Sequence, residues 1–127
     1  MRRRWQIACY LNAEGHNPVV SYMFEDKNLT DLNVMINVIQ RLSRVGQDLL
    51  DTKMAKRIDD SLFELIKDRH RIMYSEDKDN NRFVLLSAFL KQTQKTPPDE
   101  IEKAHRHWKE YLHTGKCEIF AVPFDEP

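Results

Sequence analysis

Net charge is the first thing this 127-residue chain lacks: 20 lysines and arginines balance 20 aspartates and glutamates. The molecule as a whole is therefore no electrostatic magnet for nucleic acid, and any basic patch must come from segregation of charge along the chain. The charges are segregated. Acids crowd into Glu25–Asp31, Glu76–Asp79, Asp99–Glu102 and the tail, while cations gather around Lys53–Arg57, Lys67–Arg71 and Lys91–Lys95. Cysteine is scarce too. Cys9 and Cys117, with no export signal, read as reduced thiols and not as a bridge. No segment approaches membrane-spanning length, and no apolar region of signal-peptide length follows the basic start MRRRWQ. A cytoplasmic protein without membrane association is expected. Repeats and low-complexity segments are absent, and the length suits one domain over 1–127 with a single core.

What is present alternates between strands and helices. Arg4–Leu11 reads as a strand, followed by the turn-prone Asn12–His16. Asn17-Pro18 is a helix start, cap then first position, for a short helix through about Phe24. After a break at Glu25–Asn28, Leu29–Val45 carries Leu32, Met35, Ile36, Ile39 and Leu42 at helical spacing, with Gly46 just past its end. Gln47–Asp60 reads as an irregular basic connection containing Lys53, Lys56 and Arg57. Ser61–Ile66 and Arg69–Ser75 are strand candidates, and the charged Glu76–Asn81 connects to Arg82–Leu90. That last segment is almost continuously apolar, as expected of a central strand buried on both faces. Thr96-Pro97-Pro98-Asp99 matches a capping box with Thr96 as cap. It opens a helix whose apolar stripe runs through Ile101, Ala104, His105, Trp108, Tyr111 and Leu112 to Gly115. Cys117–Val122 suits a final edge strand. The fold class is α+β: a small, mostly antiparallel sheet packed against helices on one face.

Two stretches, SLFELIKDRHRIMYS and RFVLLSAFLKQTQKTPPDEIEKA, together resemble the phage-derived HigB-like branch of the RelE toxin superfamily, closely over Leu62–Ala104. That family carries Leu-x-Glu-Leu, then an Arg-hydrophobic-hydrophobic-Tyr strand, an apolar strand and a Phe-x-Lys-Lys-Thr-x-Lys-Thr-Pro exit. The present chain departs twice, with Gln92 for the second lysine of the pair and Ile66 for the arginine after Glu-Leu. The resemblance implies a toxin of a type II toxin–antitoxin pair that cleaves messenger RNA in the ribosome. It also implies a helix-turn-helix antitoxin as partner, and it leaves the oligomeric state unknown. A gyrase inhibitor of the ParE type and a catalytically inactive phage-derived binding module are the rival readings.

Attack of a 2′-hydroxyl on phosphorus builds negative charge that fixed cations stabilise. Arginine offers a planar fork to two phosphate oxygens, and lysine is a compact donor able to exchange a proton. Arg71 is therefore assigned to the phosphate. Lys91 and Lys95 are assigned to charge neutralisation or proton transfer, and Tyr74 to positioning or stacking a base. Lys53, Arg69 and Thr96 are assigned to RNA binding. Strand alternation separates Arg71 from Tyr74 unless the strand bends. Glu64 inside an apolar strand is expected to pair with a nearby cation, with a catalytic base as the alternative, and His70 to be a plain surface or packed histidine, with proton transfer as the alternative. His105, His107 and His113 lack a cysteine cluster, and the His105–His107 spacing sends them to different sides of a helix. No metal and no cofactor is expected.

Overall fold

The computed structural model describes residues 5–121, so Arg4 and Val122, the outer ends of the two terminal strand expectations, lie outside the described residues. Six strands form one sheet in the order β2-β3-β4-β5-β1-β6. They are β1 (Gln6–Tyr10), β2 (Ala55–Arg57), β3 (Phe63–Lys67), β4 (His70–Asp77), β5 (Arg82–Leu90) and β6 (Cys117–Ile119). Among the described residues only β1 and β5 run parallel; every other pair is antiparallel. β5 lies in the interior between β4 and β1, as its near-continuous apolar run requires.

The helices are α1 (Pro18–Met23), α2 (Leu32–Val45) and α3 (Pro98–Thr114). Asn17 caps α1 by accepting from the Val20 amide at 3.0 Å. The helix expected from Leu29 begins at Leu32 instead, because Asp26–Asp31 winds as a 3-10 helix. β2 is a further strand within the expected irregular connection. It is three residues long, mostly exposed and charged, so it carries no periodic signal.

The helices cover both faces of the sheet, not one. Ile7, Cys9, Leu65, Ile72, Tyr74, Phe83 and Leu85 pack with α1 and α2, whereas Tyr10, Leu62, Met73, Val84, Leu86 and Phe89 pack with Ala104 and Tyr111 of α3. A sheet buried on two sides needs strands apolar on two sides, and β5 is such a strand. The cap of α3 also differs from expectation. Pro97 occupies the cap position and Pro98 the first turn, and Thr96 turns its hydroxyl elsewhere.

A bulge in β5 sets the register. Met73 pairs with Ser87 but Tyr74 with Leu85, which leaves Leu86 as the extra residue. The phase of β5 flips across it: Val84, Leu86 and Phe89 face α3, while Leu85 and Ala88 face the other helices. The Leu86 carbonyl accepts from Nδ1 of His107 at 2.7 Å, so α3 is pinned to the bulge. Burial lowers the His107 pKa, favouring the neutral ring.

Gly46 ends α2 at φ 62°, and a Cβ there would stand 2.7 Å from the Trp5 ring. Gly46→Ala is expected to destabilise by about 1–3 kcal/mol, from strain at positive φ and overpacking together. Urea unfolding would measure it, and an unchanged midpoint would show that Trp5 moves aside freely.

Asp59 ties the start of β3 to α3. Burial pushes its pKa up, but the Ser61 amide, the His105 ring (2.7 Å) and the Leu62 amide outweigh that and hold it below the usual carboxylate value. A depressed folded-state pKa contributes stability that is complete above the unfolded value of about 3.9 and is lost as pH falls through the folded one. The melting temperature should therefore fall below about pH 4, and less steeply in Asp59→Asn. Equal slopes in both proteins would rule Asp59 out as a contributor.

A candidate phosphate-binding site at the end of the sheet

The site grows from a buried carboxylate. Glu64 lies in β3 between Phe63 and Leu65, on the α3 side, and is fully buried. Such a charge requires partners. Its Oε2 accepts from the Thr96 hydroxyl at 2.7 Å, and its Oε1 lies 3.8 Å from Nε of Arg71. That second contact is an ion pair too long for a hydrogen bond, and both atoms are buried without a hydrogen-bond partner. Arg71, with 12% of its side chain exposed, also donates from one terminal nitrogen to the carbonyls of Asp68 (2.7 Å) and His70 (3.0 Å). The guanidinium is thus anchored on one side, and its charge is set at the β3–β4 turn.

The bulge brings the lysines to it. Arg71 pairs with Phe89, and the Lys91 amide continues the ladder to the Arg69 carbonyl at 2.7 Å, so Lys91 stands opposite Arg69. Directly opposed residues share a face, and opposed like charges destabilise a sheet unless an anion lies between them. Beyond Lys91 the chain loops through the exposed Lys95, with the Thr93 hydroxyl donating to the Lys95 carbonyl at 2.8 Å. Thr96 then returns to Glu64. The lysine-bearing segment is therefore held at both ends, by the sheet at Lys91 and by the buried carboxylate at Thr96.

The structure thus gathers Arg69, Arg71, Lys91, Lys95 and Thr96 around one end of the sheet. Lys53 belongs to the same end but lies beyond β3, beside Met54, whose carbonyl accepts from the Ile66 amide. Tyr74 is not with them. It faces α1 and α2, is fully buried, and its hydroxyl donates to Gln47 at 3.0 Å. Burial pushes its pKa well above the ordinary tyrosine value. His70 is also on that other face, buried between the Tyr22 hydroxyl (2.7 Å from Nδ1) and Asp31 (2.9 Å from Nε2). Of the two departures from the toxin pattern, Gln92 is exposed and Ile66 half-buried opposite Arg71.

A family model described as phage derived protein Gp49-like (DUF891) matches residues 25–109. The chain belongs to the Gp49-like family. The match spans α2, the whole site and most of α3. This is a family of RelE- and HigB-like toxins of toxin–antitoxin systems, and membership implies an antitoxin partner. No curated protein matches the chain. Among the described residues of this Gp49-like protein, no helix is long and apolar enough to cross a membrane.

Sequence reasoning missed the bond from Thr96 to the buried carboxylate. A threonine before Pro-Pro looks like a cap, but the second proline starts the helix one residue later and frees the hydroxyl for Glu64. The lone acid within β3 was the available signal, since a buried carboxylate needs both a cation and a donor.

Proposed function

We propose that this protein is the toxin of a type II toxin–antitoxin pair in the HigB-like branch. It would act as a ribosome-dependent messenger RNA endonuclease, blocked by a helix-turn-helix antitoxin. The observation that carries the proposal is the opposition of Arg69 and Lys91 across the ladder, with Arg71 beside them anchored to a buried carboxylate. The arrangement offers converging positive charge at a solvent-facing edge, which suits a phosphorane-like transition state. In the proposed reaction the 2′-hydroxyl gives its proton to water or to a neutral lysine as its oxygen bonds to phosphorus, the bond to the 5′-oxygen breaks, and the leaving oxygen takes a proton. A cyclic phosphate and a 5′-hydroxyl result, with no metal required. Arg71 grips the phosphate, and Lys91 or Lys95 neutralises charge or donates that proton.

Brief induction followed by mapping of RNA 5′ ends tests this reading. New ends within translated messages, together with arrested protein synthesis, are expected. Normal synthesis in cells rich in soluble product would defeat it. That outcome would favour an inactive docking module, a reading to which Gln92 and Ile66 lend support because each removes a cation of the toxin pattern.

A further inference from the structure

A second cationic feature lies on the opposite face at the same end of the sheet. A cleft of about 350 Å³ opens between α2 and the end of β3, lined by Arg41, Arg44 and Lys67 with Asn37, over a floor that includes Val38 and Met54. Among the described residues no carboxylate lines it, and Arg41 and Arg44 are the only charged residues of α2. Position near the helix C-terminus explains two cations through the helix dipole. It does not explain Lys67, which reaches the same cleft from β3. Neither Arg41 nor Lys67 has an ion-pair partner among the described residues.

The cleft is joined to the candidate site. Lys67 ends β3 on the α2 face, Arg69 sits exposed in the β3–β4 turn, and Arg71 and Lys91 follow on the α3 side. Asp68 is the single acid in that run of chain. We propose that the cleft is a second phosphate subsite, which holds the backbone of an RNA strand that wraps the end of the sheet from the candidate site. This rests on the reading above that the protein binds RNA. Cations and amides suit phosphate and sugar oxygens, whereas no aromatic among the described residues lines the cleft as a platform for a base. The subsite would therefore bind without reading sequence.

Binding of uncleavable 2′-O-methyl RNA, 12 and 4 nucleotides long, to wild type and to Arg41→Ala/Lys67→Ala tests the proposal. The 12-mer should bind at least tenfold more weakly to the variant, and its salt slope should fall by about 1.4 for two lost phosphate contacts. The 4-mer should bind both proteins alike, and cleavage at saturating substrate should be unchanged. Should the double variant melt early, Arg41→Glu, on the exposed side of α2, replaces it. Equal losses for both lengths, no loss for either, or a wild type that binds neither would overturn the proposal. So would a labelled oligoglutamate that needs Arg41 and Lys67 while RNA does not, which would reassign the cleft to an acidic protein partner. A wild type that shows the length-dependent binding but makes no new RNA 5′ ends in translated messages on induction would sink the endonuclease reading and leave the subsite standing. Cleavage by wild type with unaltered binding by the variant would do the reverse.

Discussion

Lys91→Ala and Lys95→Ala are each expected to slow RNA cleavage by roughly a hundred- to thousand-fold, the cost of removing one preorganised charge-stabilising donor. Stability should move by about 0.5 kcal/mol or less, because Lys95 is exposed and Lys91 only half-buried, and neither side chain has an ionic partner among the described residues. Rate and melting temperature measured on the same purified proteins separate the two effects. Lys109→Ala, an exposed cation on α3, serves as control. If the control lost as much activity, general attraction to RNA would account for all three results. Arg71→Ala is a poorer test, since it also strips the buried Glu64 of its cation, so a lost activity could reflect a lost fold.

The second large effect is on stability. Glu64→Ala should destabilise by about 3–5 kcal/mol, the usual cost of breaking a buried ion pair by removing one member. Arg71 would keep its carbonyl bonds but lose its carboxylate partner, and the Thr96 hydroxyl would be buried without its acceptor. For a chain of this length the melting temperature should drop by roughly 10 °C or more. Glu64→Gln should fall between the two, because the amide oxygen can still accept from Thr96 while the charge is gone. Thermal unfolding of the two variants decides the matter. A Glu64→Ala protein as stable as wild type would mean that water replaces the carboxylate and that the site is far more open than its burial implies.

Tyr74 shows how strand periodicity and motif reading can diverge. The Arg-Ile-Met-Tyr motif places four residues together in sequence, but alternation along β4 sends Arg71 to the α3 face and Tyr74 into the core beneath α2. The strand does not bend enough to reunite them. The bulge sits in β5 instead, and it works on the other side of the ladder.

Most strands, the helices α1, α2 and α3 and the clustering of cations before and after β4 and β5 were legible in the residues alone. Those features follow from local periodicity, turn residues and charge runs, which are written within a few residues of where they act. The sequence also marked Glu64 as a charge in need of a partner. Which of these residues meet depends on how the strands pair. Alternation along β5 alone would set Phe89 on the face of Leu85; the single extra residue Leu86 reverses that and carries Lys91 to Arg69 and Arg71. The placement of α1 and α2 on one face and α3 on the other, and the cleft joining Arg41 to Lys67, arise in the same way. The reason is physical: a one-residue change of register moves every later side chain to the opposite face, and register is set by pairing between strands, not by any residue within one.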